Sequence, residues 1–179
     1  MEKPKIGAPE VVYKNPFMQV SQVRARFADF EKTFFVSHYG PRAGILLVKE
    51  GQALLIRAYR MLINDLSWEI PGGKVDEGET PQDAAVRECF EETGVRCRKV
   101  QPLLFVHPGL DTCDNPTHLF YCADFEEAGG HVNDPQEVAE VVWMPLALCL
   151  EMALRREILD SMTIHALLAH HVRQSRHEL

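Results

Sequence analysis

The apolar positions of this chain fall into short runs, and the clearest of them is Ala43 to Val48. A nearly continuous run of that length predicts a central strand buried on both faces. Glu50-Gly51-Gln52 turns the chain, and Ala53 to Ala58 returns as the next strand. Upstream, Val11-Val12-Tyr13 is a short strand candidate, Asn15-Pro16 marks a turn, and Val20 to Phe30 alternates in part. Thr33 to His38 is aromatic and β-branched, as strands prefer. Residues 11–37 therefore read as a small β meander, closed by Tyr39-Gly40-Pro41. Trp68-Glu69-Ile70, Val100 to His107, His118 to Phe125 and Val138 to Met144 predict further strands, with turns at Pro108-Gly109 and Gly129-Gly130 and a stop at Pro145. Helical spacing appears in three places. Thr80 as N-cap, Pro81 at the first position and Gly94 as C-cap bracket a helix over Pro81 to Thr93. Leu150, Ala153, Leu154 and Ile158 predict a second over Leu146 to Asp160. Ser161 opens a third, carrying Ile164, Leu167, Leu168 and Val172. Strands interspersed with helices predict an α/β fold, a mixed sheet with helices on both faces. The expected division is residues 1–40 as an N-terminal β meander and 41–179 as the main domain.

Composition narrows the class. With 46% hydrophobic and 25% charged residues the chain is an ordinary globular one. Its net charge of −7 makes it a poor non-specific partner for nucleic acid or an anionic membrane. No apolar run reaches transmembrane length, and the start, Met1-Glu2-Lys3-Pro4-Lys5, lacks the apolar stretch of a signal peptide. Five cysteines without a CxxC pair predict reduced thiols and a cytoplasmic protein.

The chemistry concentrates on the first predicted helix. Glu88 and Glu92 are four residues apart and Glu91 is three from Glu88, so these acids share a face. Like charges at that spacing repel unless a cation lies between them. A hard cation with a preference for oxygen ligands, such as Mg²⁺, fits such a cluster; a solvated acidic face is the plainer alternative. The eight histidines do not compete for this role, since His170 and His171 are adjacent on a helix and point apart.

The full pattern runs from Gly72-Gly73 through Glu79, Arg87-Glu88-Cys89 and Glu91-Glu92 to Gly94-Val95. At this spacing it resembles the signature box of the Nudix hydrolase family, with Cys89 where the family prefers a larger aliphatic. The flanking stretches Tyr13-Lys14-Asn15-Pro16-Phe17, Leu54 to Arg60, Trp68 to Gly73, His107-Pro108-Gly109 and Glu157 to Ile164 look like its ADP-ribose and nucleoside-diphosphate-sugar pyrophosphatase branch. Two features depart from that branch: His107 stands where a serine is common, and the glutamate usual after the Pro-Gly loop is replaced by a stretch holding Asp111 and Asp114. These departures bear on sugar specificity rather than on the bond that is cleaved.

The resemblance implies a Nudix-type α/β/α sandwich with a mixed β-sheet and an N-terminal antiparallel β extension that builds a homodimer. It implies hydrolysis of the diphosphate bond of ADP-ribose or a related nucleoside diphosphate sugar, dependent on Mg²⁺, with Mn²⁺ as the alternative ion. By the same resemblance Gly72 (through its carbonyl), Glu88, Glu91 and Glu92 are the metal ligands. Glu91, Glu92, Glu137 and Glu140 are the candidates for the general base, a choice left open. Arg60, Glu69 and Pro108 are candidate substrate contacts, and Glu79 with Arg87 supports the loop against the helix. Two other readings stand beside this one: a hydrolase of another nucleoside diphosphate derivative (a dinucleotide, NADH or a modified nucleotide), and a nucleotide-sensing module without catalysis.

Overall fold

The computed structural model describes residues 2–129 and 133–179. In chain order the elements are β1 (Lys5–Ile6), β2 (Glu10–Lys14), β3 (Gln19–Arg26), β4 (Glu31–His38), β5 (Arg42–Lys49), β6 (Gln52–Arg60), β7 (Asp65–Glu69), β8 (Gly72–Lys74), α1 (Pro81–Thr93), β9 (Val95–Val106), β10 (Cys113–Asp114), β11 (Thr117–Glu127), β12 (Glu140–Pro145), α2 (Leu146–Leu154) and α3 (Ser161–Ser175). They form two compact units, Met1–Pro41 with His107–Pro116, and Arg42–Val106 with Thr117–Leu179.

The first unit is a five-stranded sheet in the order β1-β3-β4-β10, with β2 also paired to β3. Its centre is the β3–β4 hairpin, in register from Gln19↔His38 to Arg26↔Glu31. The hairpin turn is closed by the Phe27 amide donating to the Phe30 carbonyl at 2.8 Å, with the two rings stacked 4.4 Å apart. The sequence places His107–Pro116 in the main domain. By its contacts the segment belongs to this unit instead, because β10 lies parallel to β4 through Cys113↔Ser37 and Asp114↔His38. His38 Nδ1 and Asp114 Oδ2, 2.7 Å apart, close that pairing.

The second unit holds a seven-stranded sheet in the order β12-β6-β5-β11-β9, with β7 on β6 and β8 on β5. β11 runs parallel to β5 and antiparallel to β9, so the sheet is mixed. Alternate residues of β5 serve opposite faces, as the two-residue strand period requires. Leu46 packs into a cluster with Leu55, Ile158, Met162 and Leu167, on the side of α2 and α3. Ile45 and Leu47 pack with Ala84, Ala85 and Cys89, on the side of α1. This is the α/β arrangement expected from the sequence, a sheet with helices on both faces.

Helix α1 has the bounds its caps predict. Thr80 accepts from the Asp83 amide at 3.2 Å, and Gly94, at φ 71°, donates its N–H to Phe90 at 2.9 Å. Elsewhere the sequence reading overran. α2 ends at Leu154 rather than near Asp160, because Arg156 takes a positive φ of 65° and the amides of Glu157 and Ile158 turn back to the Met152 carbonyl. That reversal carries Ile158 into the core, where it is fully buried. Asp160, not Ser161, then caps α3 by accepting from the Thr163 amide at 2.8 Å. β9 starts five residues before the predicted Val100 and takes in Pro102, which an edge strand tolerates. Of the predicted Gly129-Gly130 turn, Gly130 lies outside the described residues. All five cysteines are free, and among the described residues no helix is long and apolar enough to cross a membrane.

Candidate active site

The site is built where β8 enters α1, within the second unit. β8 lies against β5 with Gly44↔Gly72 and Ala43↔Gly73 opposed. The approach is so close that a Cβ on Gly72 would overlap the Ala43 carbonyl and the Gly44 Cα, and one on Gly73 would overlap the Glu88 carboxylate. Glycine is required at position 72, where the overlap is with backbone, whereas at position 73 a Cβ would displace the Glu88 carboxylate. The Gly72 N–H donates to Glu92 Oε2 at 2.9 Å, which fixes one oxygen of that carboxylate and leaves Oε1.

Arg87 organises the other acids. Its Nε and Nη2 each donate to Glu79 at 3.0 Å, and Nη2 also donates to the Lys74 carbonyl at 3.1 Å. Its Nη1 donates to Glu88 Oε1 at 2.8 Å and to Glu91 Oε2 at 3.0 Å. The two-pronged contact with Glu79 is the geometry a guanidinium favours. It ties the loop before α1 to the helix, and the remaining prong reaches two acids of the acidic face. Hydrogen bonding to Glu79 is the main reason the Arg87 guanidinium is held even more firmly charged than usual.

Electrostatics mark Glu88 and Glu92 as uncomfortable. Burial raises the Glu88 carboxyl above its ordinary range, and the charge of Glu91 adds to this against the pull of Arg87 and Arg42. Glu92 is pushed up to about 8, first by burial and then by the charges of Glu88 and Glu69, with the Gly72 N–H and Arg60 opposing. Glu69 is 5% exposed and is held by Arg60, whose Nε and Nη2 donate to its two oxygens at 2.7 and 2.6 Å. Arg60, Glu69 and Asp160 line a cleft of about 280 Å³ with Met61, Ile63 and Leu159. Burial also raises the Asp160 carboxyl.

The candidates thus separate by location. Glu79, Arg87, Glu88 and Glu91 form one hydrogen-bonded group, Gly72 and Glu92 form a second that the charge of Glu88 acts on, and Arg60 with Glu69 forms a pair whose charges also act on Glu92. Glu140 lies across β12 and β6 from Arg57, with its Oε2 3.7 Å from Arg57 Nη1, and Glu137 is an exposed turn residue. Pro108 belongs to the first unit. Trp143 stacks on Phe125 with centroids 5.5 Å apart. Sequence reasoning missed Asp160 and Thr163, although the Asp-x-x-Thr spacing is a recognisable helix cap. The Arg57 guanidinium lies over the Trp68 ring at 4.8 Å, a contact that the sequence reading did not foresee.

The donors suit a hard dication: carboxylates and main-chain oxygen around a glycine turn. Among the described residues no three acid, histidine or cysteine side chains already stand as a metal cage. Glu88 and Glu91 each give an oxygen to Arg87, and Glu92 gives one to Gly72. The fit rests on charge. Glu88 and Glu92 are both driven toward their protonated forms by burial and by neighbouring acids, a condition that a bound dication reverses.

Comparison with known proteins agrees with this geometry. Residues 38–162 match the NUDIX domain family model. The chain is 35% identical over 164 residues to the CMP-5'-(N-acetyl-N-hydroxy-3-aminopropyl)phosphonate hydrolase of Streptomyces rubellomurinus, covering 89% of this chain and 78% of that protein. It is 29% identical over 152 residues to the methanol dehydrogenase activator of Bacillus methanolicus, with 83% and 81% covered. Against the ADP-ribose pyrophosphatase of Bacillus subtilis it is 28% identical over 137 residues, with 76% and 74% covered. The solved structure of an ADP compounds hydrolase superposes on all of this chain and 98% of its own with a TM-score of 0.83 at 18% identity, a likeness of fold. The match over residues 38–162 and the 35% identity to the Streptomyces rubellomurinus hydrolase mean that the chain belongs to the Nudix family, as an enzyme of its pyrophosphatase kind.

Proposed function

We propose that the protein hydrolyses the diphosphate bond of a nucleoside diphosphate joined to a sugar or similar group, ADP-ribose among them. The products are a nucleoside monophosphate and the phosphorylated partner. The observation that carries this reading is the pair of half-buried acids, Glu88 and Glu92, held beside a glycine turn with their carboxyls raised above the ordinary range. Glu88, Glu91, Glu92 and the Gly72 carbonyl hold Mg²⁺, or Mn²⁺ in its place. That ion supplies charge neutralisation on the diphosphate and a lowered pKa for water.

The chain's own residues do the rest. Glu79 and Arg87 keep α1 and its loop in one arrangement, so Glu88 and Glu91 are presented together. Arg60 offers Nη1, the edge that Glu69 leaves, to a phosphate oxygen. Glu69 keeps that guanidinium in place. The proton of the attacking water goes to a glutamate, with Glu91, Glu92, Glu137 and Glu140 as the candidates. Glu140 serves only if it parts from Arg57. The protein acts as a cytoplasmic homodimer through its N-terminal strands, whose Val11, Val12 and Tyr13 are each about half exposed.

A second reading of the substrate is favoured by the 35% identity to a hydrolase of a CMP-linked phosphonate. There the same residues would cleave a nucleotide from a phosphonate instead of a sugar phosphate. The deciding experiment offers the purified protein ADP-ribose, other nucleoside diphosphate sugars, NADH, a dinucleotide and a CMP-linked phosphonate, with Mg²⁺. Products are separated by chromatography and assigned by phosphorus NMR. Turnover confined to one class fixes the substrate; turnover of none ends the proposal.

A further inference from the structure

One buried hydrogen-bond chain reaches the catalytic loop from the far end of the sequence. The Asp160 carboxylate accepts on Oδ2 from the Thr163 amide at 2.8 Å and from the Thr163 hydroxyl at 2.7 Å. The same hydroxyl accepts from the Ile70 amide at 2.8 Å. Next in the chain, Pro71 has no N–H to satisfy, and its carbonyl accepts from the Ile45 amide at 3.0 Å. Then Gly72 donates to Glu92 at 2.9 Å. The three residues that lead into the glycine turn are thus fixed one after another: Ile70 by α3, Pro71 by β5 and Gly72 by α1.

The hydroxyl at position 163 is not explained by helix capping or by packing. The cap needs only the Thr163 amide and the Asp160 carboxylate. Thr163 is fully buried, so valine, of the same shape, would fill the space. What valine lacks is an oxygen that accepts from Ile70 while its own hydrogen points at Asp160. A hydroxyl makes both bonds at once, and the one to the carboxylate is charge-assisted. The geometry points to Asp160 and Thr163 as positioning residues: a strut from the cap of α3 that fixes the Ile70–Gly72 backbone and, through the Gly72 N–H, the Glu92 carboxylate. This rests on the reading of Glu92 and the Gly72 main chain as the groups that hold the cation. The strut acts through the Ile70–Gly72 backbone, although Asp160 also lines the cleft beside Arg60.

The test compares Thr163→Val, Thr163→Ser and Asp160→Ala with the wild type. Two quantities are read: Mn²⁺ affinity without substrate, by electron paramagnetic resonance of the free ion, and kcat and KM on the best diphosphate found. Thr163→Val is expected to weaken Mn²⁺ binding at least fivefold and to lower kcat at least tenfold, with KM within threefold. Thr163→Ser, which keeps the hydroxyl and drops a methyl, is expected within threefold of wild type in all three. Asp160→Ala follows Thr163→Val, and it decides the matter if the valine variant does not fold. The strut is refuted if Thr163→Val, or in its absence Asp160→Ala, keeps Mn²⁺ affinity and kcat within twofold of wild type. It is equally refuted if Thr163→Ser falls as far as Thr163→Val. If the wild type hydrolyses none of the diphosphates offered, the substrate reading fails and the Mn²⁺ affinities alone decide the strut.

Discussion

Replacing Glu92 by glutamine should separate two properties that mutations usually move together. The wild-type carboxyl is raised from an ordinary 4.5 to about 8, chiefly by burial and further by Glu88 and Glu69. Between those two values the folded chain holds a proton that the unfolded chain has released. The contribution of Glu92 to the stability of the metal-free protein therefore falls as pH rises from about 4.5 to about 8, and is level above that window. At about 1.4 kcal/mol for each pH unit, the full interval is worth about 5 kcal/mol. Glu92 is only partly covered, and solvent screening brings the expected effect down to about 2 kcal/mol.

Glutamine keeps an oxygen for the Gly72 N–H and has no charge to lose. In chelator-treated protein Glu92→Gln should therefore equal the wild type at about pH 4.5 and exceed it by about 2 kcal/mol at about pH 8.5. For a chain of this length that is a gain of about 4–8 °C in Tm. Activity should go the other way: losing a carboxylate that holds the cation should lower kcat by about a hundredfold or more, about 3 kcal/mol in the barrier. Urea unfolding across the pH range with EDTA, beside steady-state kinetics with Mg²⁺, measures both. A variant no more stable than wild type at the alkaline end, or a gap that does not grow with pH, refutes the burial argument. Near-normal turnover refutes the assignment of Glu92 as a ligand.

Three further expectations follow from the same geometry. Arg87→Lys keeps the charge but loses the two-pronged hold on Glu79 and the reach to Glu88 and Glu91, so kcat should fall about tenfold to a hundredfold; kinetics within twofold of wild type would show that the fork is dispensable. Gly73→Ala puts a methyl group where the Glu88 carboxylate lies, and should weaken Mn²⁺ binding at least tenfold, on the order of 1.4 kcal/mol, as a calorimetric titration would read. Arg60→Gln leaves Glu69, 5% exposed, without its counter-charge, and should cost about 2 kcal/mol of stability. Adding Glu69→Gln should recover part of that loss, and a double-mutant cycle with no coupling would count against the pair.

How far the sequence reveals this site depends on how local each determinant is. Helix α1 was legible to the residue because Thr80, Pro81 and Gly94 act within a turn of its ends. The central strand was legible because an apolar run has few other places to go. The end of α2 was not legible, because Leu154 and Ile158 fit a helical stripe whose last member reaches the core by leaving the helix at Arg156. Nor was the pairing of β10 with β4: two residues carry no pattern, and their partners stand 76 positions earlier. The Arg60–Glu69 pair needed β6 and β7 to be aligned as neighbours before nine positions of separation became 2.6 Å.

The acids of the site show why the chemistry was easier to read than the support beneath it. A helix under selection for stability alone would not place Glu88 and Glu92 one turn apart on a half-buried face. Both carboxyls are raised, which means that each lowers the stability of the metal-free fold at neutral pH. Such a conflict is visible in sequence because it violates local rules, and the proposed cation would resolve it. Thr163 and Asp160 break no local rule. They form a well-satisfied cap, and only the 93 positions between Ile70 and Thr163, closed to 2.8 Å, reveal what else that hydroxyl holds. Acids whose placement breaks a local rule are read from sequence, whereas a support that breaks none, as at Asp160 and Thr163, must be seen in the fold.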